Sequence, residues 1–326
     1  MKEFIHIQTE VQPWLERLNR NIAESLTSPN PLLNNITTGF LSKTGKQIRP
    51  IFTFLVAQLL GQPNTKTIDG ASALELLHNA SLVHDDVVDN SDKRRNVPTI
   101  NKIWDNRIAV LVGDYFVSTA LTLSLRTQDL NIVSAIGNLG CELSTGELDQ
   151  IDNAQRNVLD EEAYIATISR KTASLFVACA KIAAYSVGAT DNDIQKLSRF
   201  ALLLGICFQI KDDTFDYFPQ TESSLGKPVG ADLLDKKISL PLLNVLINDQ
   251  TPAAEQMKEL CFKDDITPDD IKQLIEYTIS NGGIEYANNY MRNLFCEAKE
   301  ILKDFDNRAA TDNLLSLFRY AIERNH

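Results

Sequence analysis

No proline occurs between Pro98 and Pro219. Proline lacks a backbone N–H and its ring collides with the preceding turn, so it ends or kinks helices. A stretch this long without one commits the middle of the chain to long helices. It holds the apolar runs Ile108–Val112, Leu139–Leu148, Tyr164–Ala189 and Ile194–Phe208, each the centre of a buried or half-buried helix. Elsewhere Leu15, Leu18, Ile22 and Leu26 recur at helical spacing behind Pro13, which suits a first helical turn. Ser28-Pro29-Asn30-Pro31 breaks the chain. Thr267-Pro268 with following acids starts a helix, and Gly282-Gly283 ends it. Strand signals at the regular spacing of a sandwich or barrel are not seen, nor strands alternating with helices. We read residues 1–326 as one all-α domain of ten or more helices.

Composition narrows the function. A formal charge of −11 argues against nucleic acid as a partner. Anions can still be held, through local cations or bound metal. Five cysteines without a CxxC pair form neither a disulfide framework nor a zinc site, which fits a reducing, cytoplasmic compartment. Uninterrupted apolar runs such as Ile108–Val112 fall short of the ~18 residues that span a bilayer. Glu3 and Glu10, with no apolar run between them, argue against a secretory signal.

Two segments echo each other. Asp85-Asp86-Val87-Val88-Asp89 and Asp212-Asp213-Thr214-Phe215-Asp216 are both DDxxD at the end of an apolar run. On a helix, residues i and i+4 share a face about 5–6 Å apart. Asp85 with Asp89, and Asp212 with Asp216, therefore point together and repel unless a cation sits between them. One such motif also describes a solvated acidic helix end. Two, each below a long apolar run, point to Mg2+, which takes one or two carboxylates plus waters and substrate phosphates. Calcium fits less well, because its D-x-D-x-D-G loop is missing.

Cations stand nearby in sequence: Lys46 and Arg49, then Arg94 and Arg95, then Lys227, Lys236 and Lys237. Basic runs beside acidic ones suggest a polyanion held by metal and guanidinium together, since arginine bonds phosphate bidentately. His78 lies one residue short of two turns below Asp85 and faces a similar way. Alone it suits a packed core histidine; near phosphate it can donate to an oxygen.

These residues, in this order, resemble the all-trans polyprenyl diphosphate synthases. The resemblance rests on Gly45-Lys46-x-x-Arg49-Pro50, Glu75-Leu-Leu-His78 with the first DDxxD, and Arg94-Arg95-x-x-Pro98-Thr99. It continues through Gly113-Asp114-Tyr115, Gly146-Glu147, Lys171-Thr172, Phe208-Gln209 with the second DDxxD, Gly226-Lys227 and Lys237. It implies a helical bundle around a deep central cavity, with three Mg2+ at its mouth. Asp85, Asp89 and Asp212 would be the main ligands, with Asp86, Asp213 and Asp216 in support. Arg94, Lys171, Gln209, Lys227 and Lys237 would hold an allylic diphosphate, and Lys46, Arg49, His78 and Arg95 isopentenyl diphosphate. Lys171-Thr172 carbonyls and Gln209 would turn dipoles toward the allylic cation; for Thr172 and Gln209, ordinary helix packing is the other reading. A homodimer is implied too. Thr44, Asn96 and Lys236 depart from the pattern, standing where the family often has glycine.

The product chain must grow away from the diphosphates, down the helix axis. Ala80 and Ser81, five and four residues before Asp85, are small, and Leu77 lies below them. In the family, bulky aromatics at those two positions stop growth early. Small ones leave room, unless they only let helices pack closely. The floor would then fall to a facing residue such as Ile136 or Leu139. A long product, about octaprenyl, is expected, with brief membrane contact for its release. The alternatives are a short-chain farnesyl or geranylgeranyl diphosphate synthase, a terpene cyclase, and an inactive regulatory subunit of a heteromeric synthase. A cyclase would not need Lys46, Arg49, His78 and Arg95.

Overall fold

A computed structural model describes residues 2–41, 45–94, 97–218 and 229–324. The chain opens with α1 (Lys2–Ser25), α2 (Pro31–Leu41), α3 (Ile48–Leu60) and α4 (Thr65–Val88). A two-residue hairpin, β1 (Lys93–Arg94) with β2 (Val97–Pro98), pairs Arg94 with Val97. Then follow α5 (Ile100–Ile103), α6 (Asn106–Arg126), α7 (Leu130–Gln155) and α8 (Glu161–Ile168). A π turn, Ser169–Ala173, joins α8 to α9 (Ser174–Ser186), and α10 spans Asp191–Phe215. The chain ends with α11 (Ala231–Leu234), α12 (Leu240–Asn248), α13 (Pro252–Cys261), α14 (Pro268–Ser280), α15 (Gly283–Leu302) and α16 (Arg308–Glu323).

The proline-free stretch is helical as expected. Thr267 caps α14 through a reciprocal pair with Asp270. Pro13 differs from expectation. It lies inside α1 rather than at its start, because Phe4, Ile7 and Val11 continue the buried stripe of Leu15 and Leu18 on its N-terminal side. Burying those three side chains, each worth about 1.5–3 kcal/mol, offsets the roughly 3 kcal/mol that an interior proline costs.

The main core runs through α1, α3, α4, α6, α7, α9, α10, α15 and α16. Phe52, Phe176, Phe200 and Phe318 link these layers by ring contacts of 5.6–6.1 Å. A smaller apolar cluster, including Leu242, Leu246, Met257 and Leu274, joins α12–α14 and also holds Tyr217. Helix α6 packs against α4 and α7. Taken whole rather than as unbroken runs, α6 is long and apolar enough to cross a membrane. Here its inward face carries the buried Val112, Phe116 and Leu123.

Candidate active site

Both aspartate clusters sit at helix C-termini. Asp89 caps α4 and Asp216 caps α10, and neither helix has a basic residue in its last turn. Carbonyls at that end carry partial negative charge, so a nearby acid is unfavourable by about 0.3–1 kcal/mol. Two helices that end in acid against their own dipoles call for an added cation.

Within each cluster the second aspartate is buried and tied. Arg94 donates Nε and Nη2 to Asp86 Oδ1, at 2.9 and 2.8 Å, which folds the hairpin back over α4. Asp213 accepts the Tyr164 hydroxyl on Oδ2 at 2.5 Å and the Gln209 amide on Oδ1 at 2.7 Å. Burial, with Asp232 and Asp212 close by, pushes Asp213 up to about 8, while those two hydrogen bonds pull it back toward the ionised form.

The other aspartates are more open. Burial pushes Asp85 up to about 6; Glu147 and Asp89 add to the rise, while Lys171 and Arg94 oppose it. Burial and then Asp232 raise Asp216 to about 6 as well. The Asp216 carboxylate accepts the backbone N–H groups of Ala231 and Asp232 at 3.2 Å each. Asp212 Oδ1 accepts from Arg324 at 2.8 Å. Burial pulls the Lys237 pKa down, but Asp235, Asp89 and Asp232 together outweigh it. Lys237 thus lies in the field of the first cluster and of the acids that act on the second.

The π turn delivers Lys171 and Thr172. It fits because glycines let two helices close on it. A side chain on Gly146 of α7 would meet the Lys171 backbone at 2.6 Å, and one on Gly205 of α10 would meet Ala173 at 2.4 Å. Lys171 pairs with Glu147 and donates to Gln150 Oε1 at 3.1 Å. Thr172 donates its hydroxyl to Gln209 Oε1 at 2.6 Å. Asp85, Glu147 and Lys171 therefore share one wall.

Arg49 lies on a wall lined with aromatics. Its guanidinium is 5.7 Å from the Phe176 ring centre, Phe176 is 5.4 Å from Phe208, and Arg324 is 3.7 Å from Phe208. Lys46 Nζ approaches the Tyr320 ring at 5.9 Å. His78 is buried on α4, below Asp85. Arg95 and Lys227 lie outside the described residues, as do Thr44 and Asn96. Lys236, the third departure from glycine, takes φ 55° and extends Nζ to Asp264 at 2.9 Å.

Ala80 and Ser81 part company. Ser81 shares the Asp85 face, is half-buried, and bonds its hydroxyl to the His78 carbonyl at 2.9 Å. Ala80 has no exposed surface. It shares a helix face with His84, whose ring covers Gly113 of α6. Leu77 is nearly buried, and Ile136 and Leu139 are buried on α7.

Asp232, Tyr164 and Arg324 were not singled out from the sequence, and Glu147 was noted without a role. The one readable signal was Gly230-Ala231-Asp232-x-x-Asp235 ahead of Lys236-Lys237, an acidic pair beside a basic one. Among the described residues, no three metal-ligating side chains form one group. The carboxylates still fit Mg2+, which keeps several waters and needs only one or two protein ligands beside phosphate.

The polyprenyl synthetase family profile matches residues 30–278. The chain belongs to that family. This all-α member is a trans-prenyltransferase. It is 31% identical over 320 residues to an octaprenyl diphosphate synthase of Haemophilus influenzae, covering 98% of this chain and 97% of that one. A polyprenyl synthase of Caulobacter crescentus, solved with calcium and isoprenyl diphosphate, superposes with a TM-score of 0.91 at 28% identity, covering 99% and 98%. A geranylgeranyl pyrophosphate synthase of Bacteroides thetaiotaomicron superposes with a TM-score of 0.85 at 35% identity, covering 99% and 100%.

Proposed function

We propose that this prenyltransferase is Mg2+-dependent and adds isopentenyl diphosphate repeatedly to an allylic diphosphate, making a long all-trans product near octaprenyl. The wall below Asp85 carries this reading. From Leu76 to Leu82, α4 carries no Phe, Tyr or Trp, and Ser81 and Leu77 lie below the first cluster. At 1.5 Å per residue, the helix runs about 30 Å from Asp85 down to Thr65. The Haemophilus relative supports the same length.

The chemistry follows from the groups at the mouth. Bound Mg2+ supplies Lewis-acid stabilisation of the charge that grows on the leaving diphosphate. Asp85, Asp89 and Asp212 would hold it, with Asp216 and Asp232 beside them. Lys171 and Lys237 complement the allylic diphosphate, and Arg94 reaches it from its anchor on Asp86. Lys46, Arg49 and His78 serve isopentenyl diphosphate. Its double bond attacks the allylic carbon, and the departed diphosphate takes the proton. Thr172 and Gln209 point dipoles at the cationic carbon. No protein nucleophile is required.

A homodimer is part of the proposal. Helix α6 turns Leu111, Val117, Leu121 and Leu125 outward, with Leu148 on α7. Leu111 is 66% exposed and Leu125 56%. A second copy would cover this stripe. We assign the enzyme to the cytoplasm, with brief membrane contact as the product leaves. Incubation with Mg2+, farnesyl diphosphate and excess labelled isopentenyl diphosphate, followed by product sizing, tests the length. A product that stops at geranylgeranyl diphosphate would favour the short-chain reading.

A further inference from the structure

The motif around Arg94 ends in Pro98-Thr99, and the groups at the mouth leave Thr99 without a task. It is 4% exposed and stands at the N-cap of α5. A threonine there ordinarily turns its hydroxyl to a backbone N–H of the first turn. Thr99 makes no such cap. Its hydroxyl donates back to the Ser91 carbonyl at 2.7 Å, and its N–H to the Asp92 carbonyl at 3.2 Å. Helix α5 gives up a cap, and the segment that follows α4 gains a fastening.

Asn101, two residues on, fastens the same segment. Its Nδ2 donates to the Ser91 carbonyl at 3.2 Å and to the Asp86 carbonyl at 3.3 Å. The Asp86 carbonyl is among the last four of α4, which have no partner inside the helix. It also accepts the Ser91 N–H at 2.9 Å. Backbone carbonyls only accept, at any pH, so the Asn101 NH2 must face them. The amide oxygen is then buried with no hydrogen-bond donor among the described residues. A buried acceptor without a donor is costly. The amide is held in place by what its two hydrogens do.

Between these fastenings lies the strand pair of β1 and β2, in which Lys93 faces Pro98 and Arg94 faces Val97. Tying Ser91 and Asp92 to Thr99 and Asn101 closes the base of this hairpin and seats it on the end of α4. Arg94 is there held against Asp86 Oδ1 while its side chain stays 40% exposed. We propose that Thr99 and Asn101 are positioning residues, which hold Arg94 over the first cluster, oriented for a diphosphate, through their side-chain hydrogen bonds to the Ser91 and Asp86 carbonyls. The diphosphate role of Arg94 rests on the prenyl-transfer reading; the fastening does not.

Calorimetric titration with inorganic pyrophosphate and Mg2+ tests this as a double-mutant cycle. Thr99→Val keeps the shape and removes only the hydroxyl. It should weaken pyrophosphate binding about fivefold, the scale set by losing the pre-organisation of one long side chain. In the Arg94→Ala background the same substitution should change binding by less than about twofold, because it acts only through Arg94. Thr99→Ser, which keeps the hydroxyl, should stay within about twofold of wild type, the ordinary scatter of such cycles. Asn101→Ala should repeat the Thr99→Val pattern and decides the matter if Thr99→Val does not fold, which circular dichroism reports. Wild-type affinity in the folded variants, or equal weakening with and without Arg94, would overturn the proposal. In steady-state kinetics Thr99→Val should raise KM for farnesyl diphosphate about fivefold with kcat within about twofold, the pattern of lost ground-state binding. An unchanged KM in a folded Thr99→Val would also overturn it. A wild-type enzyme that forms no product would defeat the prenyl-transfer reading, and the pyrophosphate cycle would still decide the fastening.

Discussion

Arg324, the last residue described, lies across the second aspartate cluster. Its Nη2 donates to Asp212 Oδ1 at 2.8 Å and to the Phe208 carbonyl at 2.9 Å. Its guanidinium stacks over the Phe208 ring, and its side chain is 8% exposed. A planar cation over an aromatic face, satisfied by carboxylate and carbonyl, is a site that lysine cannot copy.

Arg324→Ala should therefore destabilise the metal-free protein by about 1–3 kcal/mol, because Asp212 and the Phe208 carbonyl each lose one buried donor. Arg324→Lys should recover only part of that. Urea denaturation with circular dichroism measures both. Full stability in Arg324→Ala would show that the pair contributes nothing.

The raised carboxyl of Asp85 gives a pH test with a definite sign. Its folded pKa of about 6 lies above the ordinary 3.8. The folded protein thus holds its proton to higher pH than the unfolded chain does. This contribution to stability is full below about pH 4 and is lost as pH rises through about 6. Asp85→Asn should accordingly raise the metal-free melting temperature at pH 7.5 by a few degrees, on the order of 1–3 kcal/mol. The gain should shrink at pH 5. A gain that is equal at both pH values, or a loss at pH 7.5, would place the origin of the effect elsewhere.

Product length tests the wall of α4. Ser81 has accessible surface and Ala80 has none. Ser81→Phe should shorten the product to about three or four units with little loss of stability, because Ser81 is only half-buried. Ala80→Tyr must displace the atoms that bury it, so any shortening should come with a stability loss of about 1–3 kcal/mol from overpacking. Chromatography of the products and thermal melts separate the two. An unchanged product distribution in active Ser81→Phe would remove that position from the elongation wall.

What was legible in the sequence is what local pattern encodes. Helical periodicity and the absence of proline revealed the long helices, and spacing set Asp85 with Asp89 on one face. Pro13 misled because a local breaker was outweighed by a buried stripe running past it. The unequal fates of Asp85 and Asp86, or of Asp212 and Asp213, were not legible. They depend on partners far along the chain: Tyr164 for Asp213, and Arg324, 112 residues on, for Asp212. Ala80 and Ser81 look alike as small neighbours, yet one step along a helix turns the side chain by about 100°. Lys236 shows the converse. A departure from glycine is accommodated in a left-handed conformation, at a cost of about 1–2 kcal/mol, with its ammonium anchored on Asp264.

The central claim is that two acid-tipped helices together stabilise a departing diphosphate. The most direct test is the initial rate at which purified Asp85→Ala joins labelled isopentenyl diphosphate to farnesyl diphosphate with Mg2+, beside wild type and with circular dichroism on both. The account predicts an intact helical spectrum and a rate lower by about a hundredfold or more, the ~2.7 kcal/mol of charge stabilisation carried through one carboxylate. A folded Asp85→Ala that turns over near the wild-type rate would contradict it.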